Sequence, residues 1–271
     1  MRCMPGIFTF TPHSSLFTPH YSLSPMKFDL SLNPPLMNAA GSLGFSPASR
    51  GSGTAVELGA FVTNPVSLAP RSPAQNRGVQ IFPGGFILHT GHPNPGLKAV
   101  IRRHAPRWRR LKIPVIVHVL AQREDEIAIM VQMLENLGSV NAVEVGLPPE
   151  ADKELVARLV RLAAGELPVL ARLPMERILE LAGIAIGAGA AAVSLGPPRG
   201  ALPGPDGGLL RGRLYGPALF PQALAAVGSL TKDHIPVVGA CGVYHPADVE
   251  AMLAAGALAV QLDSALWRGW Q

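Results

Sequence analysis

The sequence predicts an α/β fold, a (β/α)8 or TIM barrel, and three observations carry that expectation. Eight short apolar runs recur along the chain, helical patterns lie between most of them, and one late run stops at a pair of glycines that leads into a helix. Strands buried on both faces read as continuous apolar runs, and eight of them alternating with helices describe a closed parallel barrel.

In chain order, the strand candidates are residues 36–41, 60–67, 115–121, 142–147, 169–174, 191–196, 237–243 and 259–264. Between them, residues 124–137 place apolar side chains at 127, 130, 131, 134 and 137, a helical face. Residues 151–164, 176–185 and 247–255 repeat that spacing, and the last of these helices begins at about Pro246. The stretch 188–195 echoes 255–262: each is a helix end, a glycine turn and a buried strand. The glycines at 187 and 189 follow a helix and precede a strand. A dinucleotide-binding fingerprint needs the opposite order, so that reading is rejected.

Two connections, 68–96 and 197–221, are too long for simple turns and follow strand C-termini, where barrels build sites and lids. The second is dense in Gly, Pro and Arg, including Arg199, Arg211 and Arg213, and reads as a mobile cover.

Composition bounds the function. Hydrophobic residues make up 48% of 271 and charged residues 15%, enough for one large core. The formal charge of +5 is local: Lys98, Arg102, Arg103, Arg107, Arg109, Arg110 and Lys112 crowd one segment, and without these seven cations the charge would be −2. They read as a solvated helix face, with no accompanying nucleic-acid recognition motif. Cys3 and Cys241 form neither a disulfide framework nor a metal pattern, which fits a reducing cytoplasm. Residues 1–25 read as a flexible tail without a secretory h-region, and 26–271 as the barrel domain. Residues 181–198 are free of charge and could mimic a membrane span, but their glycines suit a helix end, a turn and a strand, so no membrane span is expected.

The functional signal begins at the glycine-rich stretch 237–243. Two adjacent strand ends with free N–H groups, one feeding a helix N-terminus, suit a phosphate. Within the strands, Glu144 reads either as a functional carboxylate or as a structural one. His118 either faces a ligand or is a satisfied core histidine. His245 is either a cap or a neighbour of the phosphate site.

Several stretches, in order, resemble the dihydroorotate dehydrogenase family of flavin mononucleotide (FMN) barrels. They are Asn33 to Gly41, Gly59 to Thr63, Gly91 to Gly96, Leu214 to Leu219, the glycine-rich turn, and Val260 to Leu266. The resemblance covers about Phe28 to Leu266. It implies an FMN-dependent oxidoreductase acting on a small molecule, often as a homodimer. It places Ala39, Ala40 and Gly41 along the flavin ring, and Asn64 and Arg172 at its polar edge. Gly216, Gly239, Cys241, Gly242, Val243, Asp263 and Ser264 would surround the phosphate, and Asn94 would lie in the substrate loop.

The same resemblance marks departures. Asn64 stands where the family has a lysine, Leu88 where it has an asparagine, and Arg172 replaces a second lysine. The segment 144–149 holds no Cys, Ser or Asn to act as base, and Asp263 stands at a glycine position next to the phosphate. Such a carboxylate repels a dianion unless it turns away or meets Arg213. These departures leave open a non-catalytic homologue that binds or regulates a partner, and a barrel for another phosphorylated ligand.

Overall fold

The computed structural model describes residues 32–47, 56–120, 123–204 and 207–268. The expected tail, residue 26 as first ordered residue, and Cys3 lie outside them. The elements run β1 (Leu36–Asn38), β2 (Phe61–Val62), β3 (Gly78–Phe82), β4 (Gly85–His89), α1 (Leu97–Trp108), β5 (Val115–Val119), α2 (Glu124–Glu135), β6 (Ala142–Gly146), α3 (Lys153–Ala163), β7 (Val169–Pro174) and α4 (Ile178–Gly187). They continue with β8 (Ala192–Gly196), β9 (Arg199–Pro203), β10 (Leu209–Tyr215), α5 (Phe220–Lys232), β11 (Val237–Gly239), α6 (Pro246–Ala254), β12 (Ala259–Leu262) and α7 (Ala265–Arg268).

Eight strands pair in the order β1-β12-β11-β8-β7-β6-β5-β2, every pair parallel. An isolated parallel bridge between Met37 and Ala60 returns this series to its start and closes the barrel. Each of the eight expected strand runs contains one of these strands. Helices α2, α3, α4 and α6 fall on the predicted helical patterns.

Side-chain alternation along the strands separates two surroundings. Outward residues such as Val117, Val143, Val169 and Val193 pack against the helices. Inward residues form a small apolar plug of Met37, Ala60, Val62, Ile116, Ala142, Leu170, Val238 and Ala259. Two residues further along the same strands, the inward positions turn polar: His118 after Ile116, Glu144 after Ala142, Arg172 after Leu170 and Gln261 after Ala259. The barrel therefore has an apolar floor with a polar layer above it, at the C-terminal mouth.

The two long connections, the second of them the expected cover, carry strands of their own. β3 and β4 from the first pair with β10 and β9 from the second in one antiparallel sheet, ordered β3-β4-β10-β9. This cap sheet is held by full ladders, including Arg213 opposite Leu88 and Tyr215 opposite Phe86. The basic segment lies on α1 and just beyond it, with its seven cations exposed, as a solvated helix face. Among the described residues no helix is long and apolar enough to cross a membrane.

Candidate active site at the barrel mouth

The polar layer is built around Glu144, which is fully buried on β6. Its Oε2 lies 2.6 Å from Nδ1 of His118 on β5 and accepts from Nη1 of Arg172 on β7 at 3.4 Å. Its Oε1 accepts from Oγ of Ser194 on β8 at 2.8 Å and from Nε2 of Gln261 on β12 at 2.7 Å. Gln261 Oε1 in turn accepts from Arg172 Nη1 at 3.0 Å. Five strands thus contribute one side chain each to a network that spans the barrel.

Burial alone would raise the Glu144 pKa, but Arg172 and the bond to His118 hold it well below the usual carboxylate range. Burial lowers the His118 pKa despite the pull of Glu144. The pair is therefore an ionised carboxylate facing a neutral imidazole whose Nδ1 carries the proton. Nε2 is left as an acceptor, and no hydrogen bond among the described residues takes it. It faces Gly146, where an added Cβ would crowd Nε2 at 2.5 Å, so glycine there makes room for the ring.

Two adjoining cavities open above this layer and share Ala40, Pro65, His92, Arg213 and Tyr215 in their walls. The first reaches His118, Gly146, Arg172 and Arg199; the second reaches Gly41, Asn64, Leu88, Asp263 and Trp267. His92 is pushed down to about 2 by burial and by Arg213, His118, Arg71 and Arg172, and is neutral. Phe86, Tyr215 and Trp267 form an aromatic cluster under the cap sheet, with ring centroids 5.3–6.4 Å apart.

The expected site residues divide between this mouth and a second place. Ala40, Gly41, Asn64 and Arg172 line the cavities, and Ala39 lies buried beside them with its N–H donated to Leu262 O. Asn64 is partly engaged, since its Oδ1 accepts from Gly44 N at 3.0 Å. Asn94 is turned into its own loop: its Oδ1 accepts from Ser67 N and Gly96 N, its Nδ2 donates to Ser67 Oγ and His92 O, and it lines neither cavity.

Gly216, Gly239, Cys241, Gly242, Val243 and Ser264 are buried and line neither cavity. Gly242, at φ 80°, packs so closely on the segment after β10 that an added Cβ would collide with Phe220 N. Cys241 adopts φ 72°, a left-handed conformation that side chains rarely take, and burial pushes its thiol pKa up. Asp263, 5% exposed, turns to its neighbour and does not pair with Arg213: its Oδ1 accepts from both the N–H and the Oγ of Ser264. Ser264 Oγ also meets the Tyr244 hydroxyl at 2.6 Å. The donors that two strand ends would offer a phosphate are partly taken here by a side-chain carboxylate, whose pKa burial raises. His245 sits exposed at the start of α6, where its N–H and that of Tyr244 donate to Asp248, a cap.

Sequence reasoning did not single out Ser194, Gln261, His92 or Tyr215. For Ser194 and Gln261 the available signal was one polar residue inside each apolar run, two places beyond an inward position.

Comparison with known proteins adds the following. The dihydroorotate dehydrogenase family profile matches residues 23–164. The "Dihydroorotate dehydrogenase B (NAD(+)), catalytic subunit" of Desulforudis audaxviator is 31% identical over 257 residues, covering 87% of this chain and 84% of that protein. Proteins of the same name from Trichlorobacter lovleyi and Geotalea uraniireducens are 29% and 28% identical over 262 residues, with the same coverage.

Proposed function

This chain belongs to the dihydroorotate dehydrogenase family, and from that premise we propose that it is an FMN-type oxidoreductase barrel whose substrate side is rebuilt around His118, Arg172 and Arg213. The observation that carries the reading is the buried Glu144 network, which fixes a guanidinium and an imidazole at the floor of an open mouth. At the ring end the residues fit a flavin. Ala40, Gly41 and Asn64 form one wall, and Arg172 presents positive charge at the floor. At the phosphate end they fit only where Asp263 releases the Ser264 donors.

A bound flavin supplies hydride acceptance. The chain's own part is to bind, orient and move a proton. Arg172, held by Gln261 and Glu144, would favour negative charge on a ring bound at the mouth. His118 Nε2 takes a proton from a ligand in the cavity, and Glu144 keeps the imidazole in the tautomer that can do so. This replaces the missing loop base, since residues 144–149 offer no Cys or Ser.

A second reading is favoured by one specific observation, the Asp263 carboxyl bonded where a phosphate would sit. It makes the chain a flavin-free binding homologue. The absorption spectrum of freshly purified protein, followed by FMN titration with flavin fluorescence, separates the two. Yellow protein, or saturable quenching of added FMN, supports the oxidoreductase. Colourless protein that takes up no FMN sinks it and leaves the binding homologue. If flavin binds, anaerobic bleaching by dihydroorotate tests whether the family's substrate is kept.

A further inference from the structure

Arginines on the cap sheet face the same mouth without acidic partners. Arg199 on β9 stands directly opposite Arg213 on β10 in the antiparallel register, so the two side chains share one face of the sheet. Both line the first cavity together with Arg172, and no Asp or Glu lines it. Among the described residues neither Arg199 nor Arg213 has an ion pair or a side-chain hydrogen bond. Arg172 differs, because Glu144 and Gln261 beneath it take its charge and its Nη1 protons.

This arrangement costs stability. Like charges directly opposite on a sheet repel, and of the two the half-buried Arg213, without a counter-ion, loses part of its hydration while Arg199 stays exposed. Burial, together with Arg172, Arg199 and Arg71, weakens proton binding at Arg213. The same cations help keep His92 and His89 neutral. The nearest carboxylates do not cancel the excess. Glu176 accepts the backbone N–H of Arg199 at 3.2 Å but makes no ion pair with the guanidinium, and Asp263, which shares the second cavity with Arg213, makes no ion pair with it and is bonded to Ser264.

We infer that Arg199 and Arg213 form an oxyanion subsite at the barrel mouth, which binds the carboxylate or phosphate group of a small-molecule ligand. A planar fork matches either group with two parallel hydrogen bonds, and an anion between two such forks removes their repulsion. The subsite lies on the cap sheet, and the turn at Gly239 to Val243 lines neither cavity. It does not depend on flavin.

Calorimetry on the full chain tests it, with inorganic phosphate and orotate as separate probes. Arg199→Gln, Arg213→Gln, the double variant and Arg102→Gln on the exposed face of α1 are compared with the wild type. Each single change is expected to weaken the bound probe about tenfold, the double change to abolish binding, and the α1 variant to leave it unaltered. Binding of phosphate alone identifies a phosphoryl ligand, orotate alone a carboxylate, and either supports the subsite. Thermal melting of the ligand-free variants guards against misfolding. Arg213→Gln should melt at or above the wild-type temperature, because it removes an unpaired charge. The inference is overturned if neither probe binds the wild type, or if the double variant binds as the wild type does. Flavin content is read separately from the absorption spectrum, so colourless protein that still binds a probe counts against the oxidoreductase reading alone.

Discussion

At the ends of β5 to β8 the polar side chains point into the barrel and pair across it, leaving an open mouth above. At the ends of β11 and β12, beyond Gln261, the polar atoms of Asp263 and Ser264 are bonded to each other, and of the turn residues named above only Asp263 reaches a cavity. Both places rest on the same parallel strands, and both bury a carboxylate. Glu144 receives donors from four other strands and is held ionised. Asp263 receives local donors, chiefly its neighbour's N–H and hydroxyl, and burial raises its pKa. A buried carboxylate supported from several elements organises a site. One supported by its own next residue closes one.

The largest expected effect tests the first half of that contrast. Glu144→Ala leaves Arg172 and His118 buried without their shared acceptor and should cost about 3–5 kcal/mol in urea unfolding, as for other broken buried ion pairs. A loss below about 1 kcal/mol would mean that the network tolerates its centre being removed, and that Glu144 does not hold the layer together.

Phosphate access comes next. Asp263→Gly removes the carboxylate from Ser264 and frees its N–H and Oγ. FMN affinity, read by flavin fluorescence, should rise at least about tenfold, because a unit charge near a dianion is repulsive even in a screened setting. Equal affinity in both proteins would show that Asp263 is no obstacle and would erase the difference between the two ends of the mouth.

The same contrast explains what was legible in the sequence. The barrel strands were, because strands buried on both faces leave runs that are apolar but for a single residue, such as 115–119 and 192–195. The cap sheet was not. β3 alternates exposed and half-buried residues, and β4 pairs with β10 from a distant connection, a non-local choice that no local pattern encodes. α5 was missed because it follows directly on the Gly- and Pro-rich connection, although Ala223, Ala226, Val227 and Leu230 do form a buried helical face. Within the site, Glu144 and His118 stood out as polar residues in apolar strands, and their mutual register, β5 against β6, settles that they pair. The glycine-rich turn was conspicuous for its composition. That Cys241 to Val243 would be packed against the segment after β10, out of reach of the mouth, depends on tertiary contacts such as Gly242 against Phe220.

The smallest effect separates burial from charge at Asp263. Its folded pKa lies above the unfolded value of about 3.9. Below that value the carboxyl is protonated in both states and carries no penalty. As pH rises through the folded pKa the native state must ionise a buried group, so this residue's contribution turns destabilising and then levels off. Asp263→Asn keeps an acceptor for the Ser264 N–H without the charge. Urea unfolding should show it more stable than the wild type by about 1 kcal/mol at neutral pH, with the gap closing on acidification. Glu144 has the opposite sign, since its depressed pKa gives stability that is lost as pH falls. Because it is present in both proteins, its part cancels in the difference. A gap that stays constant with pH would assign the effect to packing. A gap that widens on acidification would mean that Asp263 is stabilised as an anion, the behaviour found at Glu144, and that the carboxylate at the phosphate end is held by more than its neighbour.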